Sequence, residues 1–276
     1  MKQETLQLVA DSGSTKTDWA VGGQRVSTQG INPIHQDDET IARILHEELI
    51  TKLTTLPCSS IRTVRFYGSG VRPEQQTRIE RLLGEALPSA TDIEARSDLL
   101  GAARALSQGQ ESICCILGTG ANSCLFDGTD IVANTPALGY ILGDEGSGAV
   151  LGIRLLNGLY KGSLPKSLLA DFEAETGMTI GAVIDRVYRQ PLPNRWLASL
   201  SPFVHSHIAE PAVEALVVGH FRDFIRRNIY PYQRPDLPIH AVGSIAWYYQ
   251  SQLVQAAQSE GYHVSTVLRS PIEKLL

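Results

Sequence analysis

Alternating apolar and polar positions near the start of the chain predict a sheet that opens with three consecutive strands. The alternation runs over 5–11, and two further strand-like runs follow at 17–22 and 25–30, with Gly22-Gly23 between them. A two-residue glycine link between alternating runs is typical of a hairpin. We therefore predict a three-stranded antiparallel meander.

The hydrophobic period then changes to that of a helix. Six apolar residues between Ile41 and Leu56 fall on one helical stripe, and Asp37 or Asp38 can cap its start. The remaining elements of the first hundred residues alternate between strand and helix. They are a strand at 63–68, a helix that opens with Pro73, a strand near 92–95 and a helix at 99–106, capped by Ser97 or Asp98.

The rest of the chain repeats this order with a longer helical part. A strand is predicted at 112–117, followed by a hairpin of 123–126 and 130–133 around Asp127-Gly128. A helical region interrupted by prolines then runs from 147 to about 230. The last predicted elements are a strand at 238–242, a helix at 245–259, a strand at 263–267 and a short helix from Pro271. Such an order, used twice, predicts two mixed sheets flanked by helices, with a cleft between them.

The expected fold is therefore α/β with two domains, 1–108 and 109–276. The second domain carries a helical insertion at about 147–235, and the terminal helix could pack back on the first domain. Ligands of α/β proteins gather in clefts of this kind.

Composition narrows the classes of function. A chain of 276 residues with 43% hydrophobic residues can form substantial cores, which excludes a largely disordered protein. No apolar run approaches the roughly 18 residues that cross a bilayer, and the first residues lead into a strand without a signal-peptide core. We expect no membrane association and a cytoplasmic location. A net charge of −5 without a basic block argues against nucleic acid as a ligand.

Cysteine and histidine are placed poorly for metal binding. Cys58, Cys114, Cys115 and Cys124 form no C-x-x-C pair, and the adjacent two point to opposite faces of a strand. We expect reduced thiols. His205 and His207 stand two apart in a helical stretch, on different faces, so a zinc site is not expected.

Two turns carry the clearest chemical signal. Asp11-Ser12-Gly13-Ser14-Thr15-Lys16 follows the first strand of one half, and Leu117-Gly118-Thr119-Gly120-Ala121-Asn122 follows that of the other. Glycine and hydroxyl residues in such turns let backbone N–H groups converge on an anion. Neither turn is a Walker A motif or a dinucleotide fingerprint. An ordinary tight turn explains either one alone, but two at equivalent positions predict a pair of phosphate clamps.

Three further segments could take part. Gly139-Tyr140-Ile141-Leu142-Gly143-Asp144-Glu145-Gly146-Ser147-Gly148 places two carboxylates among glycines, although Asp144 or Glu145 could simply cap the next helix. Ala241-Val242-Gly243-Ser244 ends a strand in small residues and suits an adenine or ribose. Asp98 stands at a strand-to-helix junction, either as an N-cap or as a general base for a substrate hydroxyl.

Together these segments resemble the sugar kinase/actin-like ATPase superfamily, and within it the BadF/BadG/BcrA/BcrD ATPase family that includes N-acetylglucosamine kinases. The family's first phosphate loop is similar to DSGSTKTDW, and its second is similar to LGTGANSCL. Its acidic segment resembles LGDEGSG, and its adenosine segment resembles VGS. The stretch that holds its catalytic base is similar to RSDLLGAARAL. The resemblance covers nearly the whole chain in order. It implies duplicated ribonuclease H-like domains.

The resemblance also implies an activity and a role for each residue. The expected reaction is transfer of the γ-phosphoryl group of ATP, with Mg²⁺, to an amino sugar. Asp98 would be the catalytic base, and Asp11 would organise the Mg²⁺ through water. The residues expected at ATP and its phosphates are Asp11, Gly13, Ser14, Thr15, Lys16, Gly118, Thr119, Gly120, Gly243 and Ser244. Those expected at the sugar are Asn32, Asn122, Gly139 and Asp144. A homodimer is the expected assembly.

One departure concerns the substrate. The acetylglucosamine kinases usually carry Gly-Gly-Trp-Gly ahead of the acidic segment, whereas Pro136-Ala137-Leu138-Gly139 stands here. N-acetylglucosamine, glucosamine and N-acetylmuramic acid therefore all remain candidate substrates.

Two other functions stay open. Some relatives are ATPases that activate a reductase or dehydratase through an iron–sulfur cluster, but these four cysteines offer no such ligand pattern. A sugar sensor without catalysis would keep the fold, but Asp11, Asp98 and Asp144 are all retained.

Overall fold

The computed structural model describes residues 5–13, 15–53 and 58–275, which form two compact units. The first contains the described residues up to Gln108 together with the segment from Pro271, and the second spans Gly109–Ser270. Each unit is built on a mixed five-stranded sheet.

The sheet of the first unit has the strand order β3-β2-β1-β4-β5. The first three strands are antiparallel to one another, whereas β1, β4 and β5 are parallel. The strands are β1 (Leu6–Ser12), β2 (Lys16–Val21), β3 (Gln24–Gln29), β4 (Ile61–Gly68) and β5 (Asp92–Ser97). The predicted meander and the strands after it are confirmed.

Three helices accompany this sheet. They are α1 (Asp38–Arg43), which continues through a π-helical stretch at Ile44–Ile50, α2 (Pro73–Ala86) and α3 (Asp98–Ser107). Asp37 caps α1 by accepting a hydrogen bond from the Thr40 amide, so the predicted start is confirmed. Leu56, the last residue of the predicted stripe, lies outside the described residues.

The second unit repeats the topology. Its strand order is β8-β7-β6-β9-β10, which is the same order as in the first sheet if β6 to β10 are taken as the counterparts of β1 to β5. The strands are β6 (Glu111–Leu117), β7 (Ala121–Asp127), β8 (Ile131–Thr135), β9 (Ile239–Val242) and β10 (Val264–Leu268). The duplicated α/β fold expected from the sequence is therefore confirmed.

The helices of the second unit lie mostly between β8 and β9. They are α4 (Gly139–Leu142), α5 (Gly148–Lys161), α6 (Lys166–Thr176), α7 (Ile180–Tyr188), α8 (Pro193–Ala198), α9 (Ser201–Ser206) and α10 (Pro211–Phe224), which continues through a π-helical stretch at Ile225–Ile229 into a 3₁₀ turn at Tyr230–Tyr232. Prolines stand at or just before the starts of several of these helices, where a missing N–H costs nothing: Pro165, Pro193, Pro202 and Pro211.

The structure corrects the sequence interpretation at two places. The helix predicted at 245–259 is two helices, α11 (Ser244–Tyr248) and α12 (Gln250–Ser259). The break falls at Tyr249, whose buried ring places its hydroxyl 2.5 Å from the Ser201 carbonyl. Neither proline nor glycine marks this break, so the pattern does not show it. Helix α4 was not predicted, because its residues alternate too little to indicate any element.

The end of the chain belongs to the first unit. A 3₁₀ turn at Pro271–Glu273 buries Ile272 against Val9, Ala20 and Tyr67. The last described segment thus packs on β1, β2 and β4.

Candidate functional site

The first predicted phosphate loop is a tight turn between β1 and β2. The Gly13 amide donates to the Lys16 carbonyl at 2.9 Å, which closes the turn. Ser14 lies outside the described residues. Thr15 is exposed, and the exposed ammonium of Lys16 lies 2.7 Å from a carboxylate oxygen of Asp18. Lys16 therefore has an acidic partner close to the turn.

Two hydroxyls that the sequence analysis did not assign lie beneath this loop. Ser12 and Thr17 are fully buried, and their side-chain oxygens are 2.6 Å apart. Ser12 Oγ also donates to the Ile31 carbonyl at 3.0 Å and accepts from the Ile31 amide at 3.0 Å. The loop and the turn that contains Asn32 are thus tied together by buried hydrogen bonds, which fix their relative position.

The register of the sheet places Asp11 and Asp98 at the same edge. Ser12 of β1 pairs with Gly68 of β4, and Gly68 pairs with Ser97 of β5, so these residues form one row across the three parallel strands. Adjacent strands are about 4.8 Å apart. The start of α3, where Asp98 lies, is therefore about 10 Å from the end of β1.

Asp98 is not the N-cap of α3. That position belongs to Ser97, whose hydroxyl accepts from the Leu100 amide. The Asp98 carboxylate accepts a hydrogen bond from the Leu99 amide at 2.9 Å. The residue keeps some solvent exposure, yet burial raises the pKa of Asp98 to about 6, an effect that the Leu99 hydrogen bond only partly offsets. A perturbed carboxyl group that is not the N-cap of its helix is a candidate general base.

Asn32 is almost buried in the turn after β3. Its side-chain oxygen accepts from the Ile34 amide at 3.0 Å. A Cβ atom on Gly70, whose φ is +80°, would lie 2.3 Å from that oxygen, so only glycine fits beside it. With its oxygen engaged, Asn32 has its amide nitrogen to offer a ligand.

The second predicted phosphate loop is bound to the start of α5. The Gly118 amide donates to the Gly120 carbonyl at 2.9 Å, which closes a turn like the first one. The carbonyls of Gly118 and Thr119 accept from the amides of Gly148 and Ala149 at 2.8 and 3.2 Å. Two N–H groups in the first turn of α5 therefore hold this loop in place.

Asp144 has a strained backbone and a perturbed carboxyl group. Its φ is +55°, an uncommon value for a residue with a side chain. Burial raises the pKa of Asp144, the nearby Glu145 raises it further, and hydrogen bonds with the Gly139 and Ala121 backbone lower it. A Cβ on Gly120 would lie 3.1 Å from the Asp144 carboxylate. Strain and a raised pKa together are typical of functional positions.

The alternative role for this acidic segment, capping α5, is wrong. Ser147 is the N-cap, since its hydroxyl accepts from the Val150 amide. Glu145 instead lies 3.3 Å from Arg227 and accepts from Asn228. Its neighbour Asp144 is thus available for another task.

Asn122 and Gly139, the other residues predicted at the sugar, lie in the same unit. Asn122 Oδ1 accepts from the Ser123 amide and from Asn134 Nδ2, both at 2.9 Å. Gly139 is exposed with a φ of +77°, and Leu138 beside it is 59% exposed. The position at which the family usually carries tryptophan is therefore an exposed leucine.

The predicted adenosine segment and the second loop share a pocket of about 250 Å³. Thr119 and Ser244 line it together with residues of the loop and of α11 and with a wall from α8 and α9: Gly118, Arg195, Ala198, Ser199, Ser201 and Ile245. A Cβ on Gly243, whose φ is +118°, would lie 2.4 Å from the Leu117 carbonyl, so glycine is required where the two strands end side by side.

The α8–α9 wall is the part of this pocket that sequence reasoning missed. Helix α8 approaches α5 so closely that a Cβ on Gly152 would lie 2.2 Å from the Leu197 carbonyl. One turn earlier, a Cβ on Gly148 would lie 3.1 Å from the Ala198 Cβ. The Gly-x-x-x-Gly spacing on α5 is the sequence signal for a closely packed helix, but the spacing does not indicate which helix packs there.

Within the described ranges, no helix is long and apolar enough to span a membrane, and no group of three or more His, Cys, Asp or Glu residues could hold a metal ion. The four cysteines are free thiols, and Cys114 lies directly opposite Cys124 in the pairing of β6 with β7.

One five-stranded topology is used twice, with a glycine–hydroxyl turn after the first strand of each sheet, as expected of the actin-like sugar-kinase class of α/β fold. The expected superfamily is confirmed.

The chain is similar over nearly its whole length to the putative N-acetylglucosamine kinase of Porphyromonas gingivalis. The two are 47% identical, the match covers 97% of this chain and 96% of the other, and the TM-score is 0.93. The chain therefore belongs to the family of that protein.

More distant structures share the fold alone. A Chromobacterium violaceum protein with the same description is 18% identical, with a TM-score of 0.73 over 99% of this chain and 98% of that one. The ROK hexokinase of Thermus thermophilus is 17% identical, with a TM-score of 0.51 over 96% and 92%. A scan of protein-family models and a search of curated proteins give no match.

Proposed function

We propose that this protein is an ATP-dependent kinase that phosphorylates an amino sugar such as N-acetylglucosamine, glucosamine or N-acetylmuramic acid. The observation that carries the proposal is Asp98, a carboxyl group with a raised pKa that is not the N-cap of α3 and lies at the sheet edge that also carries the first phosphate loop. The 47% identity with a protein described as such a kinase supports the same conclusion.

The pocket of the second unit is the proposed adenosine site. Ser244 and Arg195 offer polar groups to a base and ribose, and Ile245 offers apolar surface. Thr119 lies at the same pocket, where the exposed loop can face the phosphates. The first loop, with Gly13, Ser14, Thr15 and Lys16, is the proposed second contact with them.

Mg²⁺ fits the oxygen donors at the end of β1. Asp11 lies directly opposite Asp18 in the β1–β2 ladder, but Asp18 is paired with Lys16 and accepts from the Ser27 hydroxyl, so Asp11 is the carboxylate proposed for the metal. Mg²⁺ usually takes one or two protein carboxylates and completes its shell with water and phosphate oxygens. When bound, it would neutralise charge on the β- and γ-phosphates. Asp11 is its proposed anchor, through water.

Asp98 is proposed to take the proton from the sugar hydroxyl. The hydroxyl oxygen forms a bond to the γ-phosphorus, the bond from that phosphorus to the bridging oxygen breaks, and ADP leaves with the electron pair. The proton passes to the Asp98 carboxylate. Asp98 belongs to the first unit, and the proposed adenosine pocket belongs to the second.

Asn32, Asn122, Gly139 and Asp144 are the proposed sugar contacts. Asn32 presents amide hydrogens to sugar oxygens, while Asp144 accepts hydrogen bonds from hydroxyls. The exposed Leu138 replaces an aromatic ring with a smaller apolar surface, which leaves more room for a substituent on the sugar.

A coupled assay of ADP release tests the proposal. Purified protein with ATP and Mg²⁺ is given N-acetylglucosamine, glucosamine or N-acetylmuramic acid, and at least one sugar should raise the rate well above the sugar-free rate. ADP release that no sugar stimulates would instead indicate an ATPase activator. Sugar binding without any ADP release would indicate a sensor.

The homodimer and the cytoplasmic location stay predictions. Light scattering on the purified protein tests the first, and fractionation of the cells that make it tests the second.

A further inference from the structure

The turn that carries Asn32 is held largely by side-chain hydrogen bonds. It connects β3 to α1, and its backbone pairs only sparsely with itself: the amides of His35 and Gln36 donate to the Asn32 carbonyl at 3.1 and 3.2 Å. Such a turn needs other partners to keep one conformation, because few hydrogen bonds offset its conformational entropy.

Gln36 supplies one set of these partners. Its side-chain oxygen accepts from the Asn32 amide at 2.8 Å, and its side-chain nitrogen donates to the Gly30 carbonyl at 2.9 Å. The turn is thus closed across its base by one amide side chain.

Ser12 bonds the amide and the carbonyl of Ile31 from β1, and Arg78 supplies a further set of partners from helix α2. It donates to the Pro33 carbonyl at 2.7 Å and to the Gln36 carbonyl at 2.8 Å, one on each side of the turn. Its Nε donates to Asp38 at 2.5 Å. The guanidinium therefore bridges two backbone carbonyls and the first turn of α1, a geometry that its planar fork allows and an ammonium does not.

We propose that Arg78 is a positioning residue for sugar binding: by bridging the Pro33 and Gln36 carbonyls it fixes the turn so that the Asn32 amide nitrogen meets an acceptor oxygen of the sugar. The inference rests on the proposed kinase function. Arg78 is 25% exposed, and it acts on the substrate only through Asn32. Neither the sequence pattern nor the family resemblance singled it out.

The test compares Arg78→Met, Arg78→Lys and Arg81→Met. Arg81 is a matched control, since it lies on the same helix and shares the Asp38 partner, but its other partner is Glu85 rather than a carbonyl of the turn. Arg78→Met and Arg78→Lys should each raise the KM for the sugar by roughly 3- to 10-fold, the equivalent of about one lost hydrogen bond. The KM for ATP should stay within about twofold.

Hydrogen exchange provides a readout that needs no activity. The amides of residues 31, 32 and 34–36 should exchange faster in both Arg78 variants, and their exchange rates should be unchanged in Arg81→Met. If wild-type protein phosphorylates none of the sugars, the proposed function fails, and the exchange data still decide whether Arg78 holds the turn.

Three results would overturn the proposal. The first is slow exchange at these amides in Arg78→Met, which would mean that Gln36 and Ser12 hold the turn without Arg78. The second is an equal rise in sugar KM in Arg81→Met, which would attribute the effect to Asp38. The third is full recovery in Arg78→Lys, which would attribute it to charge alone.

Discussion

Replacing Asp98 by asparagine should separate activity from stability. The substitution keeps an oxygen that can accept from the Leu99 amide at 2.9 Å but removes the base. A positioned base typically contributes a factor of about 10²–10⁴, so turnover of the responsive sugar should fall by about that much while ATP binding changes little.

The dependence of kcat/KM on pH gives a more specific prediction than the loss of turnover. Because burial raises the pKa of Asp98 to about 6, the carboxylate is about ten times more abundant than the acid at pH 7, and only about a tenth of it is ionised at pH 5. The kcat/KM of the wild type should therefore fall about tenfold from pH 7.5 to pH 5. The residual activity of Asp98→Asn should lack this inflection.

The same raised pKa predicts that Asp98→Asn is more stable than the wild type at neutral pH. A raised carboxyl pKa means that the ionised form is penalised in the folded protein. The penalty is absent below the ordinary pKa of 3.8, grows between 3.8 and 6, and is complete above 6. Asp98→Asn should therefore unfold with a free energy up to about 3 kcal/mol larger at pH 7.5, less where solvent screens the charge, and unchanged at pH 3.5.

The assay is sugar-dependent ADP release from pH 5 to 8, with urea unfolding at pH 7.5 and 3.5. Asp92→Asn is the control, since Asp92 is an exposed carboxylate at the start of β5, the strand before α3, and pairs with Arg65. Near wild-type turnover in Asp98→Asn, or a profile whose inflection near pH 6 survives the substitution, would refute the role of Asp98 as base.

Two further substitutions test the pocket and its support, and a third tests an ion-pair cluster elsewhere in the second unit. Gly152→Ala places a Cβ 2.2 Å from the Leu197 carbonyl, so it should displace the α8 wall, cost about 1–3 kcal/mol in the free energy of unfolding, and weaken the rise in Tm that ATP causes. Gly243→Ala should cost about as much and raise the KM for ATP, because its Cβ would lie 2.4 Å from the Leu117 carbonyl. Glu260→Gln should lower the free energy of unfolding by about 1–3 kcal/mol at pH 7, since it breaks a carboxylate site bound by two arginines and a tyrosine.

The pH dependence of the Glu260 effect has a defined sign. Hydrogen bonds from Arg226 and Tyr230 lower the pKa of Glu260 to about 2, so its contribution is complete above the ordinary value of 4.5 and is lost as the pH falls through 2. The exposed pair Asp185 and Arg189 is the control, because Asp185→Asn should change little. A stability difference for Glu260→Gln that persists at pH 2 would contradict the assignment.

The glycine substitutions also have matched controls. Gly219→Ala, in a helix with open space around the glycine, should not destabilise the protein. Gly261→Ala has a φ of +80° but no neighbour within 4 Å, so it isolates backbone strain from steric clash. If Gly243→Ala is no worse than Gly261→Ala, the contact with Leu117 is not what requires glycine.

Short-range features of the site could be predicted from the sequence with good accuracy. The turns at Gly13 and Gly118 lie at strand ends as expected, because alternation and glycine placement act over a few residues. The choice between roles at Asp98 and Asp144 could not be made in this way. In both cases a serine nearby, Ser97 or Ser147, takes the N-cap, and only the folded geometry shows which side chain reaches the free amide.

The sequence by itself determined the order of the elements, their duplication and the positions of the loops, since these follow from local periodicity and turn chemistry. Only the tertiary structure decided which distant residues meet. It places the wall that contains Arg195 and Ser199 at the second loop. It also places Arg78 on the Asn32 turn, although Arg78 is 45 residues along the chain from Pro33, whose carbonyl it bonds. The physical reason is that such contacts depend on helix packing and sheet register, and a residue's own neighbours in the chain carry no record of them.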